Sequence, residues 1–101
     1  MNQYFCKIIS KRFVTPTTFV ISCKCSDLAK SILPGQFCNI KVSDTHVPLL
    51  RRPFSISNVN DENISFMVNI HGKGTEILAS KKEGDYLDVL GPLGNGFNYE
   101  N

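Results

Sequence analysis

The sequence predicts an all-β fold, a six-stranded antiparallel Greek-key barrel with one short α-helix. Two observations support this prediction. Apolar and polar residues alternate with a period of two in six short segments, as they do in strands that have one buried face. Only the segment after Gly72 has a convincing helical pattern, so the chain lacks the helical crossovers that connect parallel strands.

Residues that favour turns separate the predicted strands. Thr15-Pro16-Thr17 and Pro34-Gly35 interrupt the period-two pattern, because proline lacks a backbone donor and glycine adopts turn conformations. Asn60-Asp61-Glu62-Asn63 is polar and is interpreted as a tight turn between two strands. The strands are therefore expected at residues 3–14, 18–25, 36–42, 54–58, 64–70 and 86–90.

One segment between these strands is predicted to be a helix, and another is predicted to form a single helical turn. Ser26 or Asp27 is expected to cap a single helical turn, because their side chains accept hydrogen bonds from the first backbone amides. The main helix is predicted inside residues 73–82, with Thr75 as its cap. The polar segment 44–48 is predicted to be a loop.

Length and composition indicate one globular domain over residues 1–101. A hydrophobic content of 42% and a charged content of 20% are typical of soluble proteins. The formal charge of +2 is too small to indicate nucleic-acid binding. Apolar runs are too short to cross a bilayer, and the first residues do not resemble a signal peptide. We therefore expect a cytoplasmic protein that binds neither nucleic acid nor membrane.

The cysteines and histidines do not form a recognisable metal or catalytic site. Cys23 and Cys25 are a C-x-C pair, whereas zinc patterns need paired C-x-x-C spacings. We expect free thiols and no metal ligands, since disulfides are rare in the cytoplasm. His46 and His71 have no acidic partner at a suggestive spacing, so neither is predicted to be catalytic. Any redox chemistry would therefore need a cofactor.

The stretch from Leu49 to Ser57 contains the first candidate binding residues. Arg51 and Arg52 are adjacent cations, and Pro53 restricts Arg52 to an extended backbone. By alternation, Arg52 shares a face with Phe54, and Arg51 lies on the opposite face. A guanidinium beside an aromatic ring can hold a phosphate and a flat ring together. The alternative is an ordinary strand start with solvated arginines.

Gly72-Lys73-Gly74-Thr75 is the second candidate binding stretch. Glycines let backbone amides approach an anion closely, and a helix that begins here points its unpaired N–H groups at that anion. The spacing does not match a Walker P-loop. A strand-to-helix turn with no ligand is the alternative. Together with Arg52, the stretch predicts a diphosphate site.

These stretches resemble a known family in their order and spacing. The matching segments are Arg52-Pro53-Phe54-Ser55, Gly72-Lys73-Gly74-Thr75, Gly84-Asp85 and Gly91-Pro92-Leu93-Gly94-Asn95-Gly96-Phe97. They are similar to the flavin domain of ferredoxin reductase-like proteins, in particular the electron-transfer subunits of two-subunit, NAD-linked dihydroorotate dehydrogenases of bacterial pyrimidine synthesis. The resemblance covers essentially the whole chain. Phe54 departs from it, because the wider superfamily often has tyrosine there.

The resemblance implies that the chain binds FAD. Arg52 would hold the phosphates, Ser55 would approach the reactive edge of the isoalloxazine, and two neighbouring residues would shape its bed. The strand end at Met67, Val68 and Asn69 would also contact the flavin. Gly74 and Thr75 correspond to the turn that binds the pyrophosphate in the family. The implied cofactor-binding residues are Arg52, Pro53, Phe54, Ser55, Met67, Val68, Asn69, Gly74 and Thr75.

The resemblance also implies a role in electron transfer. In the family, electrons from dihydroorotate oxidation pass through FAD and a 2Fe–2S cluster to NAD, and the subunit joins the catalytic subunit in a heterotetramer. The NAD-binding domain and the cluster segment would lie beyond Asn101, so we expect the isolated chain to be inactive alone. We also expect it to self-associate through apolar surface near residues 91–97. Two alternatives stay open, a flavin domain of another ferredoxin–NAD(P) oxidoreductase or diaphorase, and a cofactor-free barrel module.

Overall fold

The computed structural model describes residues 2–42 and 51–94, which form six strands and two helices. The predicted loop at 44–48 and the end of the glycine-rich segment, residues 95–97, lie outside this part of the chain. Neither described helix is long and apolar enough to cross a membrane. The elements are β1 (Asn2–Thr15), β2 (Thr18–Lys24), α1 (Ser26–Ser31), β3 (Phe37–Lys41), β4 (Arg51–Asn60), β5 (Asn63–Asn69), α2 (Lys73–Ser80) and β6 (Tyr86–Leu93).

The six strands close into one barrel in the order β1-β2-β5-β4-β3-β6. Every neighbouring pair is antiparallel, which confirms the predicted fold class. The long strand β1 serves two neighbours, since residues 2–7 pair with β6 and residues 7–15 pair with β2. Closure leaves none of the six strands as a continuous free edge.

Alternate residues of the strands fill the inside of the barrel, as the period-two pattern predicts. Leu28 of α1 and Leu78 of α2 join the same core. Burying each large apolar side chain contributes roughly 1.5–3 kcal/mol to folding. The largest fully buried strand residues are Phe19, Phe66, Ile8, Ile21, Ile40, Ile64, Leu87, Val68 and Val89.

The helices differ from the prediction in number and in their caps. The single turn predicted after Ser26 is a helix of six residues, so the barrel has two short helices. Its N-cap is Cys25 and not Ser26 or Asp27. The second helix lies inside the predicted range, but its N-cap is Gly72 and not Thr75. Gly72 has a φ of 85°, a conformation that glycine adopts without steric cost.

Two strands extend three residues beyond a predicted boundary. β4 begins at Arg51 instead of residue 54, because β3 supplies a hydrogen-bonding partner along the whole segment from Arg51 to Ser55. β6 continues to Leu93, and Gly91 and Pro92 lie within it, joined by a cis peptide bond. Pairing between distant segments decides both boundaries, and a local pattern does not contain that information.

The cysteines are free thiols, and three of them are core side chains. Burial raises the pKa of Cys38 to about 12. A hydrogen bond with Cys23, together with burial, raises the pKa of Cys6. Within residues 2–42 and 51–94, no group of three or more His, Cys, Asp and Glu side chains is arranged to hold a metal ion.

An ion pair fastens β4 to β6 on the outer wall of the barrel. Arg51 donates from Nη2 to Asp88 Oδ1 at 2.7 Å, and the two side chains are only 15% and 18% exposed. Gln3 donates to both oxygens of the same carboxylate, at 2.9 and 3.1 Å. Burial alone would raise the pKa of Asp88, but the hydrogen bonds from Gln3 and Arg51 and the charge of Arg51 hold it below its ordinary value.

We predict that this network stabilises the fold in a pH-dependent way. A lowered carboxyl pKa contributes stability above the ordinary aspartate pKa of about 4, and the contribution is lost as the pH falls through the folded-state pKa. Wild-type protein should therefore be more stable than Asp88→Asn at neutral pH, and the difference should shrink below about pH 4. Urea unfolding across a pH series measures this, and a difference independent of pH would contradict it.

We also predict that Gly91 tolerates no side chain. A β-carbon at this buried position would lie 2.7 Å from Cys38 Sγ, closer than real β-carbon contacts. Gly91→Ala should therefore lower the free energy of unfolding by about 1–3 kcal/mol, the usual cost of overpacking. Cys38→Ala in the same background removes the sulfur and should recover part of the loss. An unchanged urea midpoint for Gly91→Ala would show that there is no clash.

Candidate functional site

A groove forms where β4 and β5 separate. The two strands pair from Ile56, opposite Phe66, to the turn that connects them, with one irregularity in register. Nearer its start, β4 pairs with β3. The last residues of β5 pair with β2 on the other side. The groove between the first half of β4 and the end of β5 has a volume of about 370 Å³.

Three parts of the chain line this groove, namely the first half of β4, the end of β5 and the turn into α2. Seven of the eight lining residues are among the nine that the family resemblance implies, and His71 is the additional one. Val68 and Gly74 are the two predicted residues outside the lining. The lining residues are Arg52, Pro53, Phe54, Ser55, Met67, Asn69, His71 and Thr75.

The two adjacent arginines lie on opposite faces of β4, as alternation predicts. Arg51 is held on the outer wall by Asp88. Arg52 lies opposite Ile40 in the β3–β4 register, and Phe54 lies opposite Cys38, so both side chains are on the inner face. Phe54 packs against the core there, whereas Arg52 lies at the rim and is exposed. Only Arg52 is available to a ligand in the groove.

Gly74 provides the space in which Arg52 lies. A β-carbon on Gly74 would be 3.0 Å from Val42 Cγ2 and 3.3 Å from Arg52 Nε. The missing side chain therefore lets Arg52 pack against the first turn of α2. The first backbone N–H groups of a helix have no helical acceptor and carry a partial positive charge. This end of the groove combines that charge with a guanidinium.

Thr75 holds the turn between β5 and α2. Its side chain is 3% exposed. Its hydroxyl accepts a hydrogen bond from the His71 backbone N–H at 2.7 Å and donates one to the Gly72 carbonyl oxygen at 3.1 Å. The hydroxyl proton is therefore committed within the protein. Thr75 shapes the turn, and its backbone amide is the group that it can offer to a ligand.

Side chains along β5 point alternately to the two faces of the strand, so the predicted residues Met67, Val68 and Asn69 do not all lie on the same face. Val68 is fully buried, so its side chain belongs to the core and only its backbone can contact a ligand. Met67 is exposed on the outer face. The Asn69 side chain accepts a hydrogen bond from Thr18 Oγ1 at 2.7 Å, which fixes its position on the groove wall.

The groove has two chemically different ends. Counting outward from the pair Ile56–Phe66 places Ser55 level with Met67, and Arg52 level with Ile70. The Arg52 end offers positive charge for an anion. The Ser55 end offers a hydroxyl, a thioether and the nearby Phe54 ring, which suit a flat aromatic group.

His71 is the groove residue that sequence reasoning did not assign. The sequence offers it only as a catalytic candidate, and it has no acidic partner among the described groove residues. The available signal was its position directly before Gly72, at the start of the predicted anion-binding turn. The structure places His71 among the residues that line the groove.

A second groove lies beside the other half of β4. Residues 32–36 and 56–59 line it, and its volume is about 260 Å³. None of these residues is charged. It therefore has no group to neutralise a phosphate, and the groove at Arg52 is the better candidate for an anionic cofactor.

Comparisons with known proteins identify relatives over most of this chain. The dihydroorotate dehydrogenase B (NAD(+)) electron transfer subunit of Lysinibacillus sphaericus is 40% identical over 99 residues, a match that covers 96% of this chain and 38% of the relative. The subunit of the same name from Bacillus velezensis is 58% identical over 66 residues, covering 63% and 26%. The chain thus spans no more than about two fifths of the length of either relative.

Solved structures show the same fold. An NADH-dependent reduced ferredoxin–NADP oxidoreductase superposes with a TM-score of 0.83 at 30% identity, covering 94% of this chain and 34% of that one. Ferredoxin–NADP+ reductase from Plasmodium falciparum superposes with a TM-score of 0.81 at 24% identity, covering 98% and 42%, and supports the fold alone.

A protein-family model also matches most of the chain. Residues 5–99 match the model described as the oxidoreductase FAD-binding domain, which is nearly the whole chain. The matched segment contains every strand residue of the barrel after the start of β1 and both walls of the groove. The chain therefore belongs to the oxidoreductase FAD-binding domain family, whose cofactor is FAD.

Proposed function

We propose that this chain is the flavin-binding part of a dihydroorotate dehydrogenase electron-transfer subunit. The relatives that carry this name, at 40% and 58% identity, support the assignment. The observation that carries it is the groove, which collects seven of the nine implied cofactor residues on one surface. FAD, when bound, supplies redox chemistry that the side chains of this chain lack.

The groove suits FAD at both of its ends. Arg52 and the first turn of α2 would hold the diphosphate, because both present N–H donors with positive charge. Pro53 and Phe54 form the surface against which the isoalloxazine would rest, and Ser55 brings a hydroxyl to its edge. Because Phe54 lacks the hydroxyl of a tyrosine, it would make one hydrogen bond fewer to FAD, but it keeps the ring surface.

In the longer protein, we infer that electrons pass from dihydroorotate oxidation through FAD and a 2Fe–2S cluster to NAD. The partner would be the dihydroorotate dehydrogenase catalytic subunit, in a cytoplasmic heterotetramer. Self-association of the isolated chain also remains a prediction. Leu93 is half-buried in β6, and Phe97 lies outside the described residues.

A second candidate function is a flavin domain of a ferredoxin–NAD(P) oxidoreductase. The solved oxidoreductase at 30% identity and a TM-score of 0.83 favours it. The groove itself would serve either function, because FAD recognition does not depend on the electron donor. The partner protein is what distinguishes the two.

Copurification tests the proposed function. The longer protein, tagged and isolated from its native cells, should be yellow, show a flavin absorption band and bring with it a subunit that oxidises dihydroorotate. Recovery with a ferredoxin and without such a subunit would support the second candidate. A colourless protein that does not take up added FAD would exclude both candidates and support a cofactor-free module.

We predict that Arg52→Ala weakens FAD binding more than Arg51→Ala. Only Arg52 lines the groove, whereas Arg51 is paired with Asp88 on the outer wall. A charge-assisted hydrogen bond contributes about 1.5–3 kcal/mol, so its loss should raise the dissociation constant roughly ten- to a hundredfold. Titration of FAD, followed by flavin fluorescence, measures this. Equal losses for the two variants would place the phosphates elsewhere.

We predict that Thr75 acts through the turn rather than through its own contact with FAD. Thr75→Ser keeps a hydroxyl for the His71 and Gly72 bonds and should bind FAD nearly as well as wild type. Thr75→Ala loses both bonds and should bind more weakly than Thr75→Ser, with a smaller loss than Arg52→Ala because the backbone amides remain. The same titration decides it, and a Thr75→Ala loss as large as that of Arg52→Ala would refute this role.

A further inference from the structure

We propose that His71 is a second phosphate-binding side chain, which acts with Arg52 at the same end of the groove. This inference rests on the proposed FAD site and adds a residue that neither the family resemblance nor the relatives assign. His71 is exposed and lines the groove together with Arg52 and Thr75.

The strand register places His71 at the charged end of the groove. Counting outward from Ile56 and Phe66 puts Arg52 level with Ile70, the residue directly before His71. Met67, by the same count, is level with Ser55 at the end that suits the ring. A side chain at position 71 therefore approaches the ligand from the β5 wall, while Arg52 approaches it from the β4 wall.

Hydrogen bonds on both sides hold the His71 backbone in place. The Ile70 N–H donates to the Thr17 carbonyl oxygen at 2.7 Å. The His71 N–H donates to Thr75 Oγ1, also at 2.7 Å. Because the backbone N–H is already used, the imidazole is the donor that His71 can offer to a ligand. A side chain on a fixed backbone loses less conformational entropy when it binds.

The surroundings of the imidazole favour an anion. Across residues 2–42 and 51–94, no hydrogen bond or ion pair involves the His71 ring, so its N–H is free for a ligand. None of the lining residues in the described part of the chain carries a carboxylate. The guanidinium of Arg52 and the N-terminal turn of α2 make this end positive. An oxyanion that reaches Arg52 therefore meets an uncommitted N–H donor nearby, and a phosphate oxygen is the acceptor that FAD provides there.

Three flavins that differ in their phosphates test this assignment. FAD carries a diphosphate, FMN one phosphate and riboflavin none. His71→Ala should weaken FAD and FMN binding by roughly three- to tenfold, the usual effect of one lost hydrogen bond, and should leave riboflavin binding unchanged. His71→Gln keeps an N–H donor and should recover part of the loss.

Met67→Ala is the matched control from the other end of the same groove. It should weaken FAD, FMN and riboflavin binding by similar factors, because it removes contact with the ring that all three share. Flavin fluorescence titration gives the dissociation constants. Thermal unfolding of each variant without flavin checks the fold, and a general loss of folding would lower the affinity for all three ligands together.

The possible results separate the failure of this inference from the failure of the proposed function. A loss in FAD and FMN binding that is absent for riboflavin supports the role of His71. Equal losses for all three flavins overturn it. Unchanged FAD binding in His71→Ala, with a loss in Arg52→Ala, overturns the inference and leaves the FAD site in place. Unchanged FAD binding in both variants overturns the FAD site as well.

Discussion

The change of hydrogen-bonding partner along β4 is the constraint on which the candidate site depends. Its first half pairs with β3, and its second half pairs with β5. A closed barrel needs both contacts, but the strands diverge between them and leave a groove against the end of β5. The side chains that line this groove stand on strands fixed by the barrel itself, so the site is built on rigid elements.

The turn into α2 depends on the same divergence. Three of its residues shape the turn. Gly72 redirects the chain at a positive φ, Gly74 leaves room for Arg52, and Thr75 ties the turn together through its hydroxyl. A pattern of small residues and one buried hydroxyl thus positions backbone donors and one guanidinium at a common end of the groove.

Arg51 contributes to the stability of the barrel, whereas its neighbour Arg52 is available for ligand binding. One charge is partly buried in an ion pair with Asp88 that joins β4 to β6, and the other stays at the rim. Because strand side chains alternate between faces, adjacent residues can serve the wall and the groove without competing. The same rule separates Val68, which fills the core, from Met67, which is exposed at the groove.

The sequence by itself determined the strand count and the antiparallel barrel, and its resemblance to a known family implied most of the groove residues. Period-two alternation and turn residues are local signals, and the motifs at Arg52 and Gly72 are local too. The tertiary structure alone decided that β4 starts at Arg51, that the Thr75 hydroxyl is bonded within the turn, and that His71 lies on the groove. Each of these three features depends on groups that come together only when distant strands pair or the chain turns. Such contacts produce no periodic pattern in the sequence.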